Sequence, residues 1–254
     1  MPIKTTITNK TPRRQLFKKE ITLMSRGFSN PEAWPGGKLT VYPWDTEVDE
    51  YLIEQARKTS RQQLVYGLLN KLCDLNGGKV EEFVAEEVNT VLLVARALST
   101  EGTVNYTSEC PFCAKKKVET IKVPDELEKV GEKPEGYPGY DDITLPVSKD
   151  VVRIRPLLVK DELIIEQRDD TQRRLVSDTR LRMLMPIISV GDGKPDTLEE
   201  LVGYVRILHP TDVKYLEEQQ KKLSPHLNAN IPHKCDECGK EFTHLLSFDQ
   251  QFFR

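Results

Sequence analysis

The sequence lacks long apolar runs and a surplus of either charge. No apolar stretch approaches the ~20 residues that span a bilayer, and none typical of a secretory signal follows Met1. The net charge is -3, from 37 Lys and Arg against 40 Asp and Glu. Proteins that bind nucleic acid through an extended basic face are typically rich in Lys and Arg. We therefore expect a globular protein that is neither membrane-bound nor a disulfide-stapled secreted domain, and the charge balance argues against nucleic acid as a partner.

Signatures of catalysis are also missing. The sequence holds no G-x-S-x-G, no P-loop, no G-x-G-x-x-G and no H-E-x-x-H motif. Only four histidines occur, and none has the i, i+4 partner of a metalloprotease helix. Because no motif places a nucleophile beside a base, we predict that the protein is not an enzyme and has no small-molecule substrate.

Cysteine is scarce, yet four of the five cysteines form two C-x-x-C pairs. Two intervening residues let the chain turn tightly and direct both sulfurs at one point, which is the geometry of a zinc knuckle. Two knuckles supply the four ligands of a closed structural site. The pattern predicts one structural Zn²⁺ bound by Cys110, Cys113, Cys235 and Cys238. The fifth, Cys73, lies among leucines and is predicted to be buried.

The spacing between the pairs leaves alternatives open. Cys113 and Cys235 lie 122 positions apart, against ~15–20 in a compact two-knuckle site. A redox C-x-x-C would stand at a helix N-terminus after a strand, a chance pairing would bind nothing, and His233 or His244 could replace one thiolate. The alternating residues around both pairs predict hairpins instead of a helix start, which favours the shared zinc site.

The order of sequence features occurs twice along the chain. Pro43 and Pro156 lie 113 positions apart, each within a short strand-like stretch. Residues 49–55 then match residues 161–167 at five of seven positions. Each copy continues through predicted helices to a C-x-x-C pair. We therefore predict an α+β fold made by internal duplication, in which two similar strand–helices–zinc-knuckle modules are joined at the one four-cysteine site.

These signals divide the chain into four segments. Residues 1–38 are predicted to form an extended, basic N-terminal arm, and residues 39–123 form module 1. Residues 124–150 are acidic and rich in Gly and Pro, which predicts an exposed connector. Residues 151–254 form module 2. Apolar spacing and capping residues predict helices from 45 or 46 to 55 and over 61–75, 86–98, 161–168, 179–185, 197–208 and 212–222.

Several short motifs resemble those of one viral protein family. They are residues 23–27 (with Met24 where the family has proline), residues 42–47, the apolar stretch 91–96 leading through Gly102 and Tyr106 to Cys110, the pair Arg155-Pro156, and residues 235–239 followed by a strand and Phe252-Phe253. In this order they resemble the baseplate-hub assembly proteins of T-even-like, contractile-tailed bacteriophages. The resemblance runs through most of the chain.

The resemblance implies a non-enzymatic structural or assembly protein of the baseplate hub. Its partners would be other phage tail and baseplate proteins, and its location the virion, after assembly in the host cytoplasm. The runner-up interpretation is a zinc-knuckle nucleic-acid-binding regulator, because Lys115, Lys116 and Lys117 follow the first pair. A zinc-dependent enzyme is third. The acidic Asp236 and Glu237 in the second pair favour the structural interpretation over the runner-up.

Overall fold

Helices and short antiparallel strands alternate along the chain in the computed structural model, which describes residues 17–55, 57–169, 173, 176–195 and 197–246. Seven helices and five small antiparallel sheets lie within these residues, so the predicted mixture of α and β structure is confirmed. None of the helices in the described ranges has both the length and the apolar character needed to cross a bilayer. The basic residues before Phe17 and the predicted Phe252-Phe253 motif lie outside the described residues.

The first half begins with a three-stranded sheet whose middle strand is β2. This strand alternates exposed and buried side chains, with Leu39 and Val41 fully buried, so one face of the sheet covers the core. The following helices begin where the sequence supplies caps. Ser60, for example, accepts a hydrogen bond from the Gln63 amide. In chain order the elements are β1 (Lys19–Thr22), β2 (Lys38–Val41), α1 (Thr46–Gln55), α2 (Arg61–Leu72), β3 (Cys73–Asp74) and α3 (Glu87–Ser99).

Helix α3 is the centre of this half. Nine of its residues are buried, because its sequence is apolar around most of its circumference. It leads directly into the first cysteine hairpin, and the chain then forms one strand of a small two-stranded sheet. These elements are β4 (Thr103–Glu109), β5 (Lys116–Lys122) and β6 (Lys129–Val130).

The second half contains another three-stranded antiparallel sheet, with β8 in the middle. Four helices belong to this half, and the last is followed by β10, which pairs with β6, and by the second cysteine hairpin. In chain order the elements are β7 (Asp141–Thr144), β8 (Val151–Ile154), α4 (Val159–Glu166), α5 (Asp178–Leu184), β9 (Ile187–Val190), α6 (Leu198–Ile207), α7 (Pro210–Leu223), β10 (His226–Leu227), β11 (Asn230–Lys234) and β12 (Glu241–Leu245).

The buried residues form two separate cores. The first surrounds α3, and the second contains Ile154, Leu181 and Leu216 of the second half. The C-terminal hairpin does not pack on the second core. Its flanking residues Leu227 and Leu246 belong to the first core. The last part of the chain therefore crosses back and completes the first half.

The two halves also join through the backbone. Val84 and Leu158 form an isolated antiparallel bridge. On either side of it, the Ala85 amide donates to the Leu157 carbonyl and the Val159 amide to the Phe83 carbonyl, both at 2.9 Å. This contact comes from residues other than the cysteine hairpins, so the halves are also joined at a second place, which the sequence did not predict.

The described part of the predicted N-terminal arm differs from an extended segment. Residues 19–22 form a sheet strand, and Trp34 is fully buried with its ring 4.6 Å from that of Phe83. The Ser25 amide donates to one carboxylate oxygen of Glu87 at 3.0 Å, and the Ser25 hydroxyl donates to the other at 2.6 Å. These partners are distant in sequence, and local patterns therefore do not reveal them.

The predicted exposed connector is also more ordered than its composition indicates. It supplies β6 and the edge strand β7, and it buries Leu127 in the first core and Leu145 in the second. The Gly- and Pro-rich residues between these strands form turns, but both ends of the segment pair with strands from elsewhere in the chain.

Candidate metal centre

The two C-x-x-C pairs close their hairpins with the same backbone geometry. The Cys110 amide donates to the Lys115 carbonyl, and the Cys110 carbonyl accepts from the Ala114 amide, both at 2.9 Å. The knuckle of Cys235 repeats both bonds at the same lengths, with Gly239 in the place of Ala114. Ala114 and Gly239 both have positive φ angles, 56° and 70°. The hydrogen-bonded turns fix the direction of each cysteine pair.

The four sulfurs of the two knuckles form one cluster. All four lie within 4.8 Å of one another. Across the hairpins, the Sγ atoms of Cys110 and Cys238 are 3.7 Å apart, and those of Cys113 and Cys235 are 3.6 Å apart. A tetrahedral ion with bonds of ~2.3 Å to sulfur separates its ligands by ~3.8 Å. The predicted convergence of the pairs is confirmed, and the cluster has the dimensions of a tetrahedral metal site.

The thiols of the cluster differ in how readily they ionise. The amides of Cys238 and Glu237 donate to Cys235 and lower the pKa of its thiol to about 7. The Lys115 amide acts in the same direction on Cys113, but burial and the neighbouring sulfurs outweigh it and raise the pKa of that thiol to about 12. Adjacent thiolates repel each other, so the cluster ionises completely only when a metal ion neutralises it.

The histidines near the second knuckle are not members of the cluster. The group of potential ligands found in the described part of the chain consists of the four cysteines. His233 instead lies with its Nδ1 2.9 Å from Glu119 Oε2 and its Nε2 3.2 Å from the Tyr106 hydroxyl. His244 stacks on the Tyr106 ring at 5.2 Å. Neither histidine occupies the position of a fourth ligand.

These contacts form what we call the hairpin interface cluster, namely Tyr106, Glu119, His233, Phe242 and His244. Tyr106 and Glu119 are opposite each other on β4 and β5, and His233 and Phe242 are opposite each other on β11 and β12. Burial lowers the pKa of His244, and the neighbouring His233 acts in the same direction. Burial also raises the pKa of Tyr106, together with its hydrogen bond to Glu119.

Sequence analysis did not identify Tyr106 or Glu119 as parts of a site. The sequence feature that could have identified them is strand alternation. On β4 it places Tyr106 on the same face as Val104, and on β5 it places Glu119 on the same face as Ile121. Strand alternation predicts that these positions point inward. It does not show that they meet a second hairpin from the other end of the chain.

The basic run after the first knuckle is paired with carboxylates. Lys115 lies 3.9 Å from Glu237, and Lys117 lies 2.8 Å from Asp236, so both reach across to the second knuckle. Lys116 lies 3.2 Å from Glu109 on its own hairpin. The hydrogen bond to Asp236 raises the pKa of Lys117. The three lysines therefore have acidic neighbours and do not form an uncompensated basic patch.

Cys73 lies apart from the metal site. It is buried in β3 opposite Val41, within the first core, which confirms its prediction as a buried residue.

A cleft of about 490 Å³ is lined by residues from both halves. Its arginines are already engaged. Arg155 forms two hydrogen bonds to Asp161, at 2.6 and 2.9 Å, and Arg182 forms two to Glu162, at 2.7 and 2.9 Å. These side chains have structural partners within the protein.

Comparisons of the chain with protein-family models, with curated proteins and with solved structures return no match.

Proposed function

We propose that the protein is a non-enzymatic structural or assembly component of a bacteriophage contractile-tail baseplate, stabilised by one structural zinc ion. The observation that carries the structural part of this proposal is the four-sulfur cluster. It supplies four ligands to one ion and leaves no coordination position for water or substrate, which is typical of structural and not catalytic zinc. The hub assignment itself comes from the motifs that resemble baseplate-hub assembly proteins.

Zinc is the ion that the donor set favours. Four thiolates in tetrahedral geometry are typical of zinc or of iron–sulfur chemistry, and zinc requires no redox partner. Elemental analysis of protein purified under reducing conditions is the test. One zinc per chain supports the proposal, whereas iron in its place would assign the site to electron transfer.

We infer in addition that the two halves descend from one duplicated module. The middle strands β2 and β8 have the same order of exposed and buried side chains. Just after them, the Tyr42 amide donates to the Leu72 carbonyl at 2.7 Å, and the Arg155 amide to the Pro186 carbonyl at 3.0 Å. Each half then proceeds through helices, the third strand of its sheet and a further helix to a knuckle hairpin, with α7 as an addition in the second. Superposition of residues 39–123 on 152–245 tests this inference, and unrelated paths would reject it.

The baseplate role also has a physical motive. A metal-bound body keeps a fixed shape, and the sequence before Phe17 carries Lys4, Lys10, Arg13 and Arg14. Basic residues of this kind increase the rate of encounter with acidic surfaces on other subunits.

Deletion of residues 1–16 tests the role in assembly, because it leaves strand β1 intact. We expect unchanged zinc content and thermal stability, with reduced incorporation into tail particles when the protein is co-expressed with tail genes. The full-length chain is the control. If the full-length chain does not associate with any tail subunit, the baseplate proposal is wrong. If the full-length chain associates with tail subunits and the chain without residues 1–16 is incorporated equally well, the segment has no part in assembly.

The nucleic-acid interpretation remains the second candidate because of Lys115, Lys116 and Lys117. Their carboxylate neighbours reduce the positive field that a phosphate backbone would meet. A gel-shift titration at two salt concentrations distinguishes the candidates. Tight binding that weakens steeply with salt would favour nucleic acid and contradict the structural proposal.

A further inference from the structure

The two knuckle hairpins make contact at two levels. At the tips, the four sulfurs form the metal site. Behind the tips, the hairpin interface cluster joins the same two hairpins through side chains that bind no metal. Glu119 Oε2 lies 3.1 Å from the Tyr106 hydroxyl and 2.9 Å from His233 Nδ1, so one carboxylate oxygen contacts both hairpins.

This second contact bears on the entropic cost of bringing the two cysteine pairs together. Cys113 and Cys235 are 122 positions apart, and closing a loop of this length costs conformational entropy. Pairing of β10 with β6 and burial of Leu227 and Leu246 in the first core already close much of this loop, and the remaining cost is that of holding the two hairpins at ligand distance. A contact that forms without metal removes the cost from the binding step, as preorganisation does for any ligand.

We propose that Tyr106, Glu119 and His233 are positioning residues that hold the two knuckles at ligand distance before the metal binds. This inference rests on the proposed metal site and concerns how that site forms. The side chains of His233 and Glu119 are only 9% and 20% exposed. A hydrogen bond in such a partly buried setting is stronger than the same bond in water.

Aromatic ring contacts within the hairpin interface cluster add to these hydrogen bonds. Tyr106 stacks across the two hairpins on His244, with ring centroids 5.2 Å apart and the planes at 22°, and within the second hairpin the His233 ring stacks on Phe242 at 5.3 Å. By contrast, the Lys117–Asp236 bridge between the hairpins is 54% and 75% exposed and is expected to contribute little. The hairpin interface cluster is therefore the stronger non-metal contact between the hairpins.

The first experiment uses the unaltered full chain without metal. The protein is stripped with a chelator under reducing conditions, and nuclear Overhauser contacts between the rings of Tyr106 and His244 are recorded. We expect these contacts to persist, because the cluster does not need the metal. Their disappearance in a chain that keeps its other tertiary contacts would overturn the inference. This measurement decides the question even if the wild-type protein binds no metal, an outcome that would reject the proposed zinc site alone.

The second experiment measures affinity. Full-length His233→Ala, Glu119→Gln and Tyr106→Phe are titrated with Co²⁺, and zinc competition follows. We expect each variant to keep the absorption spectrum of a tetrahedral four-thiolate site, since the ligands are unchanged, but to bind the metal about 10- to 100-fold more weakly.

The matched control is His226→Ala, because His226 bonds to the Ser224 carbonyl outside the hairpin interface cluster. It should bind Co²⁺ as the wild type does. His233→Gln, which keeps one hydrogen-bonding group, should recover part of the lost affinity, and circular dichroism confirms that each variant is folded. Equal affinities for the wild type and the three folded cluster variants would overturn the inference.

Discussion

The Sγ atoms of Cys113 and Cys235 lie 3.6 Å apart although 122 residues separate them in sequence. A metal ion bound between them joins the end of the first half to the end of the chain. Because the site forms only in the folded protein, the free energy of metal binding would add to the stability of the fold. An ion bound here would therefore stabilise the two cysteine hairpins and the first core on which they pack.

Mutation of one ligand should remove the metal. We expect one zinc ion per wild-type chain and less than stoichiometric zinc in Cys235→Ser, because three thiolates bind zinc more weakly than four. Cys73→Ala is the matched control, since Cys73 is buried in the first core away from the sulfurs, and it should retain one zinc. Elemental analysis with thiol titration gives both results. Two ions per wild-type chain, or full zinc content in Cys235→Ser, would contradict the four-cysteine assignment.

Metal removal should affect the two cores unequally. Both cysteine hairpins pack on the first core, and the halves are joined by the separate bridge between Val84 and Leu158. Amide hydrogen exchange should therefore accelerate in β4, β5, β11 and β12 after chelation, while β8 and α5 of the second core keep their protection. Uniform acceleration along the chain would instead mean that the metal holds both halves together.

The buried ion pair of the second half should matter more than an exposed one. Asp161 is 2% exposed and binds Arg155, whereas Asp142 is 44% exposed and binds Arg153. We expect Asp161→Ala to lower the free energy of unfolding by about 3–5 kcal/mol, because it leaves a largely buried guanidinium without its carboxylate partner. Asp142→Ala should cost less than about 1 kcal/mol. Urea denaturation measures both, and similar losses would show that burial does not set the importance of these pairs.

Glu87 should make stability depend on pH. Burial raises the pKa of its carboxyl from 4.5 to about 7, although hydrogen bonds from Ser25 act in the opposite direction. The folded protein therefore keeps a proton that the unfolded chain has released. The resulting stabilisation is complete below pH 4.5 and is lost as the pH rises to about 7.

In Glu87→Gln this contribution is absent, while the amide can still accept from the Ser25 backbone and donate to its hydroxyl. Between pH 5 and pH 8 the wild type should therefore lose roughly 1–3 kcal/mol more of its unfolding free energy than the variant. Urea titrations across this range provide the measurement. Parallel curves for the two proteins would show that Glu87 does not titrate there.

The helices could be predicted where capping residues are local. Ser60 and Thr197 accept hydrogen bonds from Gln63 and Glu200 at the starts of α2 and α6, as sequence rules for helix starts anticipate. Other ends were set by tertiary contacts. Helix α2 ends at Leu72 instead of residue 75, because Cys73 pairs with Val41 in the sheet.

The start of helix α7 differs from the predicted start. The sequence predicted a helix from residue 212, but the helix begins at Pro210 with His209 as the cap, and the His209 ring accepts from the Thr211 amide. Proline at the first helical position needs no amide partner. The helix therefore starts two residues before the predicted position.

The sequence by itself determined the four cysteines of the candidate metal centre, because each C-x-x-C pair encodes its turn and the direction of its sulfurs within six residues. It also determined the strands around them through their alternation. The tertiary structure alone decided that the second knuckle packs on the first core and that Tyr106 and Glu119 meet His233. These contacts join residues more than one hundred positions apart, and their free energy depends on burial and hydrogen bonding that no local pattern contains.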